Sequence, residues 1–98
     1  MQDYSRIEQR IRDHLAELSS EFAVAEIGIF GSYIRGEQTP ESDLDILIQF
    51  SKPVGFVAFY QLEQRLKQLL GVEVDLVTRS ALKPHIGAKI LAEVKYVH

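Results

Sequence analysis

Apolar residues recur near the start of the chain at the spacing that is typical of an amphipathic helix. Four of them lie three or four positions apart, with mostly polar or charged residues between them: Ile7, Ile11, Leu15 and Leu18. This spacing puts them on one helical face, so the pattern predicts a helix over residues 4–20. Asp3 is a candidate N-terminal cap for this helix, and the Ser19-Ser20 pair is a candidate end.

The remainder of the chain alternates between strand-like and helix-like patterns. Strands are predicted at residues 24–30, 43–50 and 72–78, with a short edge strand within 94–97. A helical turn is predicted at 33–36, and longer helices at 54–70 and 81–92, the last interrupted near its start by Pro84. Alternating strands and helices indicate an α/β fold in which helices pack on a small sheet.

Length, charge and composition narrow the possible functions. A chain of 98 residues has the size of one domain, so we expect a single domain over residues 1–98. The formal net charge is −3 and no basic stripe is visible, which argues against direct nucleic-acid binding. The absence of cysteine excludes disulfides and cysteine-based zinc sites, and it fits a cytoplasmic protein. No run of about 18 apolar residues is present, so no membrane span is expected.

Three carboxylates interrupt two predicted strands that are otherwise strongly apolar. Asp43 and Asp45 are two positions apart, so their side chains leave the strand on the same side, with Cα atoms about 6.6 Å apart. Asp75 joins them if strand 72–78 lies beside strand 43–50. Carboxylates this close repel one another, and a divalent cation, Mg²⁺ or Mn²⁺ in preference to Zn²⁺, removes that repulsion. Alternatively, Asp43 is only a turn residue and Asp75 pairs with a lysine or arginine.

A second chemical feature is the Gly31-Ser32 pair, which lies between a predicted strand and a predicted helical turn. Glycine lets the backbone approach a ligand closely, and the amide groups that begin a helix favour a phosphate. The Ser32 hydroxyl adds a donor, and Arg35 follows one helical turn later, where it could reach the same phosphates. Each signal is weak alone, because Gly-Ser occurs at many turns and Arg35 could be an exposed salt-bridge residue.

The combination of these features is far more specific than its parts. Gly31-Ser32, ten residues and then Asp43-x-Asp45 resembles the signature of the DNA polymerase β-type nucleotidyltransferase superfamily. The variant Gly-Ser-x-x-Arg-Gly followed by Ser-Asp-x-Asp is similar to its minimal nucleotidyltransferase (MNT) branch, and the similarity covers residues 24–78. The resemblance implies a nucleotidyltransferase fold, in which helices pack against a small mixed β-sheet.

The resemblance also implies a role for each residue of the motif. Asp43 and Asp45 would bind two catalytic Mg²⁺ ions. Asp75 would complete one metal site and help to activate the attacking hydroxyl. The Gly31-Ser32 turn would hold the triphosphate of ATP, with Arg35 assisting.

The resemblance further implies a biological setting. MNT proteins commonly work beside a HEPN-domain protein, often a ribonuclease toxin, and some attach AMP to a tyrosine of that toxin and so act as antitoxins. We therefore expect a Mg²⁺-dependent transferase that moves AMP from ATP to a hydroxyl of a HEPN toxin, in a homo- or hetero-oligomer. Two alternatives stay open: a non-catalytic antitoxin that neutralises the toxin by binding, and an enzyme that modifies a small molecule such as an antibiotic.

The apolar stretch at residues 54–60 bears on the expected partner. It is apolar around most of its predicted helix, whereas only one stripe of a helix packs on a sheet. A surplus residue, such as Phe56 or Tyr60, would then face a partner or a second copy of the chain. The alternative is that a small core uses all of these side chains.

Overall fold

The computed structural model describes residues 3–98, in which helices pack against a four-stranded sheet. The strands are β1 (Val24–Phe30), β2 (Leu44–Phe50), β3 (Val74–Thr78) and β4 (Lys95–Tyr96). The helices are α1 (Tyr4–Asp13), α2 (Leu15–Phe22), α3 (Ser32–Arg35), α4 (Phe56–Leu70) and α5 (Pro84–Glu93), with a 3₁₀ turn at Arg79–Ala81. None of these helices within residues 3–98 has both the length and the apolar character to cross a membrane.

The sheet is mixed, as the fold class predicts, and has the spatial order β3-β2-β1-β4. β1 pairs antiparallel with both β2 and β4, whereas β2 and β3 are parallel. Parallel neighbours need a crossover connection, and α4 supplies it. Gly71 ends α4 in the left-handed conformation, with φ of 70°, which is the commonest way for a helix to stop. In the order β3-β2-β1-β4, β3 is an outer strand of the sheet.

One face of the sheet carries the main hydrophobic core. Leu44, Ile46 and Ile48 alternate along β2 and are fully buried in this core. The same cluster contains Ile7 from α1 and Leu66 from α4. Burying side chains of this size stabilises the fold by about 1.5–3 kcal/mol each. Because successive strand residues point to opposite faces, the odd-numbered positions of β2, including its aspartate, are left to the other face.

The first predicted helix is in fact two helices. The chain leaves helical geometry at His14 (φ −116°, ψ 12°), whose Nδ1 lies 2.8 Å from the carbonyl oxygen of Arg10. The predicted end at Ser19-Ser20 is wrong, because α2 continues until Ala23 adopts the left-handed conformation (φ 57°). Both helices contribute buried residues to one core. The apolar spacing therefore persists across the break, and periodicity alone does not reveal it.

The predicted start of α1 is confirmed, whereas the predicted start of α5 is wrong by three residues. Asp3 caps α1 as predicted, since its Oδ1 accepts the Arg6 amide hydrogen bond at 2.9 Å. The last helix is predicted from residue 81 but begins at Pro84. Proline suits the first turn of a helix, where no amide donor is needed, so it starts α5 instead of interrupting it. The predicted edge strand is present as β4.

Gly28 lies where β4 passes very close to β1. A Cβ at this position would be 2.6 Å from Cγ2 of Val94 and 3.2 Å from the carbonyl oxygen of Lys95. We expect Gly28→Ser to lower the free energy of unfolding by about 1–3 kcal/mol, as overpacking usually does, in urea denaturation. Gly55→Ser is the matched control, since the described residues leave 4 Å of open space around an added Cβ there and serine caps helices well. Equal losses at both positions would contradict the argument.

Candidate active site

The register of the two parallel strands decides where the aspartates meet. β2 and β3 pair so that Asp45 is the direct neighbour of Asp75, which places their Cα atoms about 4.8 Å apart. Paired positions on adjacent strands point to the same face, so the two carboxylates leave the sheet together. Asp43 immediately precedes β2 and is close enough for its charge to raise the pKa of Asp45. The predicted adjacency of the two strands is therefore met.

Asp45 is the half-buried member of this group, whereas Asp43 and Asp75 are exposed. Burial, followed by the charges of Asp75 and Asp43, raises the pKa of Asp45 from 3.8 to about 6. The Arg35 guanidinium lowers the pKa of Asp45, but by less than burial and the two aspartates raise it. The positive charge that the protein supplies is thus too small to balance the ionised carboxylate of Asp45. Such an imbalance is common at functional sites, and a cation would stabilise the carboxylate.

The chemistry of these carboxylates suits a divalent cation. Carboxylate oxygens are the ligands that hard cations such as Mg²⁺ prefer. Within residues 3–98, no three acidic or histidine side chains are already gathered tightly enough to hold a metal ion. Because Asp43 and Asp75 are exposed, their side chains have space to turn towards Asp45. The site is a set of carboxylates near one face of the sheet, and it is not a closed metal cage.

Gly31 brings the turn after β1 directly against Asp45. Its φ of 82° lies in the region that strongly favours glycine. A Cβ added to Gly31 would overlap the Asp45 carboxylate, so backbone conformation and close approach independently require glycine here. Ser32 follows at once as the first residue of α3. The predicted phosphate turn and the aspartates consequently form a single site.

A fourth carboxylate, not predicted from the sequence, contacts this turn. Glu93 accepts hydrogen bonds from the Gly31 amide and from Nη1 of Arg35, both at 2.7 Å. The Gly31 amide, and then Arg35, lower the pKa of Glu93. Nε of Arg35 donates to Glu37 at 2.8 Å. Glu93 is the last residue of α5 and lies 62 positions from Gly31, so no sequence spacing links the two.

Two cavities differ in their relation to the aspartates. One of about 480 Å³ is lined by Asp43 together with Tyr33 and Glu73; it offers space next to the site. The other, of about 880 Å³, is lined by the last residues of β2 and β3 and by residues that follow these strands or belong to the first turns of α4. The nearest β2 residue of its lining, Ile48, is three positions beyond Asp45, roughly 10 Å along the strand. The larger groove is therefore remote from the carboxylates.

The family of the chain follows from its match along almost the whole length. Residues 9–97 match the family model of the nucleotidyltransferase domain, a range that includes every aspartate of the site, the Gly31-Ser32 turn and Glu93. The chain belongs to the nucleotidyltransferase domain family. This membership confirms the family resemblance drawn from the spacing of the glycine, serine and aspartate residues.

Individual relatives agree with this membership. The chain is 47% identical over 91 residues to the protein adenylyltransferase MntA of Thermococcus cleftensis, covering 93% of this chain and 92% of the relative. A solved minimal nucleotidyltransferase structure superposes with a TM-score of 0.81 at 31% identity, covering 96% of this chain and 95% of that one. A chain from the complex of tri-AMPylated Shewanella oneidensis HEPN toxin with MNT antitoxin gives a TM-score of 0.66 at 22% identity, covering 93% and 71%. This last similarity demonstrates a shared fold alone.

The raised pKa of Asp45 predicts how this residue affects stability when metal is removed. The pKa of about 6 in the folded state exceeds the ordinary value of 3.8, so the folded state holds the proton more tightly and this group destabilises the protein as the pH rises through that interval. We expect Asp45→Asn to stabilise the EDTA-treated protein at pH 7.5 by on the order of 1–2 kcal/mol after solvent screening.

The measurement is thermal unfolding of wild type and variant at several pH values. The gain should shrink as the pH falls from about 7 to below 4, where the wild-type carboxyl is protonated in both states. Asp13→Asn, at an exposed residue of α1, is the control and should give no comparable gain. A gain that is independent of pH, or a loss at neutral pH, would contradict the assignment.

Proposed function

We propose that this protein is a Mg²⁺-dependent protein adenylyltransferase that moves AMP from ATP to a tyrosine hydroxyl of a HEPN toxin in the cytoplasm, and thereby acts as an antitoxin. The observation that carries the proposal is the pairing of Asp45 with Asp75, with the Gly31 turn packed against Asp45. The adenylyltransferase activity named for the Thermococcus relative supports the donor, and the AMP-modified HEPN toxin of the Shewanella complex supports the acceptor class.

The groups on the chain suit a metal-bound nucleoside triphosphate. The amides and the hydroxyl of Gly31-Ser32, together with the Arg35 guanidinium, would bind the phosphate oxygens. Asp43 and Asp45, with Asp75 completing one site, would hold two Mg²⁺ ions. When bound, such ions lower the pKa of the attacking hydroxyl and neutralise charge on the leaving group.

The transfer exchanges one phosphorus–oxygen bond for another. The tyrosine oxygen attacks the α-phosphorus of ATP, the bond to pyrophosphate breaks, and a tyrosyl-AMP phosphodiester forms. Asp75 is exposed on the outer strand β3, where it would help to take up the hydroxyl proton. Positioning and charge stabilisation would supply most of the rate, since transfer at phosphorus needs little covalent help from the protein.

Exposed apolar side chains at the start of α4 support a protein acceptor. Phe56, Val57 and Tyr60 are 82%, 67% and 53% exposed, so of the two alternatives left open for residues 54–60, the structure agrees with a surplus over what the core uses. Adjacent exposed apolar side chains commonly mark a protein-binding surface. A small-molecule substrate gains no support from the large groove, because that groove is remote from Asp45.

The binding-only alternative is disfavoured by the energetics of Asp45. A half-buried carboxylate among like charges lowers stability, and contact with a toxin would not require it. The same position in a purely structural domain would suit an apolar residue such as Leu47, which lies on the same face of β2 and is 1% exposed. The arrangement is understandable if the carboxylate binds a cation during catalysis.

Asp43→Asn and Asp45→Asn should each reduce transfer of labelled AMP from ATP to a co-purified HEPN partner on the order of 100-fold or more. Each loses a charged metal ligand, while the buried face of β2 is unaffected. The measurement is autoradiography after incubation with α-labelled ATP and Mg²⁺, with circular dichroism to verify folding.

Asp13→Asn is the matched control for this experiment. Asp13 is also an aspartate, but it is exposed on α1, so the transfer rate of Asp13→Asn should stay near that of wild type. Undiminished labelling in both aspartate variants would refute the catalytic assignment. A stable complex in which wild type adds no label would favour the binding-only alternative.

A further inference from the structure

The two donors assigned to the triphosphate are already bound to a carboxylate of the protein. Oε2 of Glu93 accepts the Gly31 amide and Oε1 accepts Nη1 of Arg35, each at 2.7 Å. Both are charge-assisted hydrogen bonds, which are stronger than neutral ones. A carboxylate that bridges an amide and a guanidinium in this way satisfies the same donors as two oxygens of a phosphate group.

We propose that Glu93 is an internal competitor of the triphosphate, which must leave Gly31 and Arg35 before the phosphates bind, and that it thereby sets the affinity for polyphosphate. The inference rests on the proposed function in one respect only: the triphosphate binds at Gly31 and Arg35. It concerns binding of the donor and does not depend on which protein accepts AMP.

Coexistence of Glu93 and the triphosphate at these donors is unfavourable for two reasons. The Gly31 amide carries one hydrogen, which Glu93 uses. Arg35 is bound on two sides, since Nε donates to Glu37 and Nη1 donates to Glu93. A triphosphate placed beside Glu93 would also add several negative charges next to a carboxylate, and such repulsion is strong where water is partly excluded.

The surroundings of Glu93 allow it to leave without opening the core. Its side chain is 23% exposed, and that of Arg35 is 49% exposed. Among the ten residues of α5, Gly87 is the buried one, and Ile86 is 62% exposed. Rotation of the Glu93 side chain towards solvent would therefore cost two hydrogen bonds and little packing.

Calorimetric titration of the full chain with inorganic tripolyphosphate in EDTA tests this directly. The probe has neither base nor ribose, so it reports the phosphate site alone. Glu93→Gln keeps the shape of the side chain but loses its charge, and it should bind tripolyphosphate about 5- to 20-fold more tightly than wild type, the range expected for removing one charge-assisted competitor.

Glu37→Gln is the matched control. It changes the net charge by the same amount and also removes a carboxylate from Arg35, but it leaves the bond between Glu93 and the Gly31 amide in place. Its affinity for tripolyphosphate should stay within about threefold of wild type, as befits an exposed pair. Equal tightening in both variants would overturn the proposal, because the effect would then be one of net charge.

A second readout follows the Gly31 amide itself by nitrogen-15 NMR. In wild type, tripolyphosphate should move this amide resonance as the probe replaces Glu93, and in Glu93→Gln the free resonance should already differ. Unchanged or weaker tripolyphosphate binding in Glu93→Gln would overturn the proposal and make Glu93 a residue that positions Arg35. Absence of binding to both proteins would overturn it as well.

Glu93→Asp provides a second test if the Glu93→Gln variant does not fold. It retains the charge but is one methylene shorter, so it should reach the two donors less well and again allow tighter tripolyphosphate binding; weaker binding would overturn the proposal. AMP transfer to the HEPN partner is assayed separately. Loss of transfer with intact competition by Glu93 would count against the proposed function alone.

Discussion

The parallel pairing of β2 with β3 is the constraint on which the candidate active site depends. It places Asp45 beside Asp75 although the two are 30 positions apart in the chain. A shift of one residue in the register would turn one carboxylate to the opposite face. The alternating apolar residues of β2 oppose such a shift, because it would expose Ile46 and its neighbours. The buried face of β2 that stabilises the fold therefore also fixes the relative positions of the two carboxylates.

The candidate site contains a group that lowers the stability of the folded protein. Asp45 lies half-buried among like charges, and Gly31 adopts a conformation that few other residues tolerate. The crowded carboxylate lowers the stability of a small domain, whose margin is narrow in any case, whereas the positive φ is accessible to glycine. Their contact explains why they occur together: only a residue without a Cβ lets the turn after β1 reach the carboxylate. Charge crowding of this kind is typical of functional sites.

Local patterns in the sequence predict most of the fold and part of the site. Apolar alternation predicts β1, β2 and β3, and the spacing of Asp43 and Asp45 predicts a shared side. The break at His14 escapes detection because the apolar stripe continues across it. Glu93 escapes detection because its contacts join the end of α5 to a turn near the start of the chain. Contacts of that range follow from tertiary packing, and no residue spacing encodes them.

The outer position of β3 has a consequence for what this protein could be made to do. Between residues 3 and 98, no strand pairs with the free edge of β3, and Asp75 is exposed there. The carboxylates that we propose for nucleotide transfer lie on or next to β2 and β3, whereas the exposed side chains of Phe56, Val57 and Tyr60 belong to α4. If the α4 surface selects the acceptor, as the proposed function implies, its redesign would redirect transfer to a new target without altering β2 or β3, and this scaffold would then suit engineered protein labelling.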